Sequence, residues 1–193
     1  MIKDQLSGFN STKGEILTGK LEDGLVQVYT GDGKGKTTAA LGLAVRAAGR
    51  DLDIFIGQFM KSGNYGEHIA LRRLQDHIRI EQFGDGDFQL KGEPSEKQVK
   101  KAKEGLRKIR EEMKSRDHDM IIADEMCVAH HFDLLSLESI IELLSDKPEE
   151  VELIFTGRKA PDEVIERADL VTEMKEIKHP YQKGIEAREG IER

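Results

Sequence analysis

Eight consecutive residues, Gly31-Asp32-Gly33-Lys34-Gly35-Lys36-Thr37-Thr38, put three glycines, two lysines and a pair of threonines into one short turn. Such a turn can curl until several backbone N–H groups face one concavity, and the N-terminus of a following helix adds partial positive charge there. That is chemistry for holding phosphate: Lys36 would reach the phosphate oxygens, and the hydroxyl of Thr37 would ligate magnesium. The usual phosphate-loop spacing, G-x-x-x-x-G-K-[ST], asks for glycine where this chain has Thr30. The match is therefore a variant in which Gly31 and Gly33 supply the flexibility. An ordinary glycine-rich strand-to-helix turn is the plain alternative. The order of apolar run, Gly-Lys-Thr-Thr and helical pattern argues for phosphate binding.

Other candidates stand further along. Asp124 and Glu125 close the apolar run Met120-Ile121-Ile122-Ala123, at the kind of strand end where phosphate-loop proteins keep a metal-directed carboxylate. With Thr37, Glu125 is the metal candidate, although the residues alone leave open which carboxylate of the pair meets the ion. Two solvated acids closing a strand are the plain alternative. Arg158, after Thr156-Gly157, could clamp a triphosphate by bidentate contacts, or be a surface arginine. Arg46, on the first helix about one turn past the loop region, is a nucleotide-side candidate with a structural alternative. His179, in Lys178-His179-Pro180-Tyr181, could face a ligand. His130-His131 follows Cys127, but no Cys or His partners stand at zinc spacing. No Ser-His-Asp or Cys-His arrangement emerges, and nothing demands a general base.

The elements that must position these residues are legible as alternating apolar runs and helical patterns. Strands are expected at Leu25–Tyr29, Leu52–Ile56, Ile78–Phe83, Met120–Ala123, Val151–Phe155 and Leu170–Met174. Helices are expected at Ala39–Gly49, Gly66–Gln75 and Leu134–Leu144, with a long one opening at Ser95 and a short one at Pro161. Ser95 with Gln98 fits a capping box, and Val99, Ala102, Leu106, Ile109 and Met113 step by three and four. This alternation predicts an α/β fold: a mainly parallel sheet with helices on both faces, P-loop NTPase-like and RecA-like, with ligands at the carboxyl ends of the strands. Residues 1–23 are polar and glycine-punctuated and form an N-terminal arm, either disordered or covering a partner's site. Residues 24–193 make the domain.

Composition bounds the function. In 193 residues, 37% are hydrophobic and 35% charged, which suits one domain with a heavily solvated surface. A net charge of −7 argues against nucleic acid as the main partner. The single Cys127 suits a reducing cytoplasm. No apolar run approaches the ~18 residues of a membrane span, and the first residues lack the apolar core of a signal peptide.

Several motifs in order resemble one family. Val26 to Ala40, Gln58-Phe59-Met60-Lys61, Asp124-Glu125, Leu153 to Arg158, Ala168 to Lys175, Lys178-His179-Pro180-Tyr181 and Gly184 to Ile191 closely resemble the P-loop type of cob(I)alamin (corrinoid) adenosyltransferases. Thr-Gly-x-Gly-Lys-Gly-Lys-Thr-Thr looks like that family's own version of the loop. The resemblance covers roughly residue 25 to the C-terminus. It implies transfer of the 5′-deoxyadenosyl group of ATP to the cobalt of a reduced corrinoid (cob(I)alamin or cob(I)yrinic acid a,c-diamide), with release of triphosphate. It also implies Mg2+, an ATP lying reversed in the loop so that C5′ is exposed, an electron donor such as a reduced flavoprotein, and a homodimer. Within Gly84 to Lys91, Phe88 would help displace the lower axial cobalt ligand. The family's nearby Trp is absent, and Leu90 occupies that region. Two rivals remain on the residues alone: a kinase or NTPase acting at the γ-phosphate, and a non-catalytic ATP-binding regulatory module.

Overall fold

The computed structural model describes residues 21–85 and 93–192. Residues 1–20 of the expected arm lie outside the described residues, as do Phe88 and Leu90. Six strands form one sheet: β1 (Val26–Thr30), β2 (Ile54–Phe59), β3 (Ile78–Phe83), β4 (Met120–Asp124), β5 (Glu152–Thr156) and β6 (Leu170–Glu173). Their order across the sheet is β3-β2-β4-β5-β1-β6, and every pairing is parallel. The expected mainly parallel sheet is thus wholly parallel.

Alternation along the strands explains why both faces carry helices. Ile54, Ile56, Ile122 and Ile154 point to one face, where they meet Ala40, Ala44, Ala47 and Ala48 of helix α1 (Lys36–Ala48). Those small side chains let α1 approach the sheet closely. Phe55, Phe59, Ile121, Ala123, Leu153 and Phe155 point to the other face. They pack with Ile109 and Met113 of α3 (Glu96–Ser115) and Ile140 and Leu143 of α5 (Leu137–Ser145). Burial on both faces is why strands β2, β4 and β5 are buried at every position.

Several boundaries differ from the expectations, among them the start of α5, which lies at Leu137 after its Ser136 cap and not at Leu134. Helix α1 starts at Lys36 inside the glycine motif, because the loop itself turns the chain into the helix. Strand β2 runs on to Phe59, so Gln58 belongs to the sheet. The expected helix from Gly66 splits into α2 (Gly66–Leu71) and a 3-10 turn, Arg72–Leu74. A one-and-a-half-turn helix, α4 (Met126–His131), was not expected at all. The short helix near Pro161 is α6 (Asp162–Ile165).

The capping box at α3 is present. Gln98 N donates to Ser95 Oγ at 3.2 Å, and Ser95 N donates to Gln98 Oε1 at 2.9 Å. Ser95→Ala should lower unfolding stability by about 1 kcal/mol, a fall of roughly 2–4 °C in Tm for a domain of this size. Urea denaturation checks it, and an unchanged midpoint would mean that tertiary packing alone holds the first turn.

Candidate active site

The loop between β1 and α1 closes on the segment that follows β6. Gly31 and Gly35 have φ of 92° and 125°, backbone that side chains disfavour. Space forbids side chains as well: a Cβ would stand 2.5 Å from Met174 O at Gly31 and 2.7 Å from the same oxygen at Gly33. Gly33 N donates to Met174 O at 2.6 Å, locking the two segments together. Lys36 folds back over the loop, its Nζ donating to Gly31 O and Gly33 O, both at 2.6 Å. Burial pushes its pKa below the ordinary value, and the nearby Glu125 opposes that shift.

Asp124, at the end of β4, is 1% exposed and receives four donors. Its Oδ1 accepts from Thr37 Oγ1 at 2.8 Å and Thr156 Oγ1 at 2.7 Å. Its Oδ2 accepts from Gln58 Nε2 and Lys61 Nζ, both at 3.0 Å. Burial works against the charge of Lys61, yet Asp124 and Glu67 hold its pKa above the ordinary value. Glu125 occupies the left-handed region at φ 61°, directly before α4, and its backbone N–H donates to Thr156 Oγ1 at 2.8 Å. Burial, then the neighbouring Asp124, raise the Glu125 pKa.

Of these groups Gly33, Gly35, Lys36, Thr37, Lys61, Glu67 and Glu125 border one cavity of about 550 Å³. Gly33 to Thr38 line it together with Lys61, Glu125, Arg158, Tyr65 and the start of α2 (Gly66, Glu67). The C-terminal segment lines it as well, including His179, Tyr181, Ile185, Ile191 and Glu192. Lys34 Nζ ties this segment down, donating to Ile191 O at 2.9 Å and Glu192 Oε1 at 3.1 Å. Side chains at the mouth are of both signs, with Lys34, Lys36, Lys61 and Arg158 opposed to Glu67, Glu125, Glu186 and Glu192.

The structure brings together nine of the residues singled out from the sequence: Gly33, Lys34, Gly35, Lys36, Thr37, Thr38, Glu125, Arg158 and His179 all line this cavity. Gly31 and Asp32 belong to the loop without lining it. Arg46 stands apart, in the last turn of α1 and ten residues beyond Lys36, about 15 Å along the helix axis. It is thus nearly three turns from the loop and not one. His130 Nδ1 bonds Leu135 O at 2.9 Å, and His131 packs edge-on against Phe132. Cys127 is buried and its thiol is pushed up to about 12, chiefly by burial. Sequence reasoning missed the roles of Gln58, Lys61 and Thr156 around Asp124, and the hint was a polar residue ending each of two apolar strands. It missed His68 too, for which a lone histidine in a short helix offers no signal.

Oxygen donors suited to magnesium gather here: the Thr37 hydroxyl and the Asp124 and Glu125 carboxylates. Among the described residues no group of three His, Cys, Asp or Glu could hold a metal by itself. Mg2+ is commonly held by one or two carboxylates together with substrate phosphates, so the donor set fits that ion.

A parallel sheet with a phosphate loop after its first strand and a carboxylate ending another defines the class of P-loop nucleotide-binding folds. Residues 22–193 match the family described as ATP:corrinoid adenosyltransferase BtuR/CobO/CobP. The chain belongs to this family, and is accordingly an enzyme of the transferase class with the P-loop NTPase-like fold. It is 33% identical over 174 residues to a corrinoid adenosyltransferase of Sinorhizobium sp, covering 89% of this chain and 81% of that one. It is 32% identical over 173 residues to the corrinoid adenosyltransferase of Escherichia coli K12, covering 89% and 86%. With the corrinoid adenosyltransferase CobA of Salmonella typhimurium it shares 31% over 174 residues, 89% and 86% of the two chains.

The two adjacent carboxylates should respond oppositely to neutralisation. Asp124→Asn turns an amide N–H2 toward groups that already donate, and should cost about 3–5 kcal/mol. Glu125 has a folded pKa above its unfolded one, so its ionisation costs stability as pH rises through the unfolded value toward the folded one. Glu125→Gln removes that cost and should be at least as stable as the parent at neutral pH. Thermal unfolding of both variants decides; equal losses would mean that Glu125 is also a structural acceptor.

Proposed function

We propose that this chain transfers the 5′-deoxyadenosyl group of ATP to the cobalt of a reduced corrinoid and releases triphosphate. One observation carries the reading to the residues: the phosphate loop, Lys36, Glu125 and Arg158 converge on a single cavity in a chain that matches the family over residues 22–193.

The reaction makes a cobalt–carbon bond at C5′ and breaks the C5′–O bond, whose electron pair leaves with the triphosphate. Cobalt(I) has no proton to lose, so no general base is required. Protein groups must instead hold the departing charge and align cobalt with C5′. The N–H groups of the loop, Lys36 and Arg158 suit the first task, and Lys34 adds a further cation at the mouth. Mg2+ would be held by Thr37 and Glu125, with Asp124 orienting the threonine, and would neutralise part of the triphosphate charge. His179, in the C-terminal segment, stands for the nucleoside or corrinoid side, and Phe88 for the lower face of the corrinoid. ATP lies reversed in the loop, so that C5′ and not the γ-phosphate faces the second substrate.

A homodimer, a cytoplasmic location and an external electron donor such as a reduced flavoprotein complete the reading. No helix among the described residues is long and apolar enough to cross a membrane. The formal charge of −7 weighs against a nucleic-acid partner.

Anaerobic incubation with ATP, Mg2+ and chemically reduced cob(I)alamin tests the reading, following the visible spectrum and the phosphate product together. Adenosylcobalamin and intact triphosphate are expected; ADP in their place would transfer the assignment to phosphoryl transfer. Lys36→Ala should lower kcat by at least about 100-fold through loss of a charge-stabilising donor. Glu125→Gln should raise the Mg2+ concentration needed for half-maximal rate by roughly 10-fold or more, and an unchanged Mg2+ dependence would remove it from the metal site.

A further inference from the structure

A second polar layer runs from Asp124 away from the cavity. Gln58 is fully buried at the end of β2, and its Nε2 donates to Asp124 Oδ2 at 3.0 Å. The amide orientation follows from that carboxylate, since the opposite one would set the amide oxygen against a carboxylate oxygen. Gln58 Oε1 then faces inward and lies 2.7 Å from Nε2 of the buried His68. An amide oxygen can only accept, so this ring nitrogen carries the proton. The other ring nitrogen requires the same tautomer, because Nδ1 accepts the backbone N–H of Tyr65 at 3.1 Å. Burial pushes the His68 pKa below its ordinary value, which keeps the ring neutral. Hydrogen bonds from Tyr65 to His68, Gln58 and Asp124 therefore run in one direction with one protonation state. Gln82, near the end of β3, has its Oε1 held by the Gly63 N–H at 3.1 Å and turns its Nε2 toward the same ring nitrogen at 3.2 Å; with the proton on that nitrogen this is a donor–donor approach and no hydrogen bond, and it places the histidine where β2, β3 and α2 meet.

We propose that His68 is a positioning residue: by fixing the Gln58 amide it holds Asp124, and through Asp124 the Thr37 hydroxyl, in the orientation the charged end of the nucleotide requires. A histidine that merely capped α2 would use Nδ1 alone. Here Nε2 is committed to Gln58. The inference rests on the adenosyl-transfer reading of the cavity.

Two variants separate positioning from capping. His68→Asn keeps an acceptor near Tyr65 N–H and cannot reach Gln58. His68→Gln can reach Gln58 with an N–H2 and gives up the cap. In the adenosylation assay His68→Asn should lose about 10-fold in kcat with Tm near that of the parent, whereas His68→Gln should recover most of kcat even where Tm falls. A parental kcat in His68→Asn, or losses that follow Tm in both variants, would overturn the proposal. Because either variant could fold poorly, His68→Asn is also made in a Gln58→Leu background. No further loss in kcat is expected there, and losses that multiply would show that His68 does not act through Gln58. Should the parent form no adenosylcorrinoid, the functional reading falls on its own. Equilibrium binding of Mg–ATP then tests His68: weaker binding in His68→Asn and parental binding in His68→Gln sustain its positioning role, and equal affinities end it.

Discussion

The Asp124 carboxylate is the point from which the rest of the site hangs. Its four donors come from α1 (Thr37), β5 (Thr156), β2 (Gln58) and the segment after β2 (Lys61). A carboxylate so deeply buried would be costly alone, and becomes tolerable because each oxygen receives two hydrogen bonds and one partner is a cation. The result is a rigid knot at the carboxyl end of the sheet. Neighbouring Glu125 is held beside the knot with its own charge poorly compensated, so it stays available for other partners. The division of labour between adjacent acids follows from strand geometry: one points back under the loop, while the other begins the turn into α4.

The phosphate loop is shaped by a different constraint, the close approach of the chain after β6. Glycines at 31 and 33 are required as much by Met174 O as by any ligand. Similar crowding holds at Gly157, where φ is 138° and a Cβ would stand 2.9 Å from the Cβ of Cys127. There the backbone turns between Thr156, committed to Asp124, and Arg158, exposed at the cavity. Among the described residues His179 is the one histidine that lines the cavity, and the buried Cys127 does not line it.

Much of this was legible in the sequence, and the limits have physical causes. Apolar runs marked all six strands, most plainly β2, β4 and β5, which are buried on both faces, and the Ser95–Gln98 box marked the start of α3. Helix α4 escaped because its six residues span less than two turns and start from a left-handed Glu125. Contiguous motifs exposed the loop, the acidic pair and Arg158. The donors around Asp124 were hidden only at the level of individual bonds: that the loop, Gln58, Asp124 and Thr156 gather at the carboxyl ends of the strands is legible, but which atoms meet is set by packing that local patterns do not encode. Arg46 was misplaced, since even from Thr38, the last residue of the motif, it lies more than two helical turns away. Phe88 lies in a stretch outside the described residues, and its place in the site rests on the family resemblance.

Sheet order also bears on how the protein comes into being. Strand β1 pairs only with β5 and β6, more than a hundred residues later in the chain. During synthesis the strand that carries the loop waits without hydrogen-bonded neighbours until β5 and β6 have been made. Contacts of such long range are slow to close, and an unpaired apolar strand is a point of aggregation while it waits. A chain that stops short of β5 and β6 cannot build the cavity, so any ligand bound there stabilises only chains that have passed that point. Ligand-dependent protection of that kind doubles as a selection for chains that have closed the sheet.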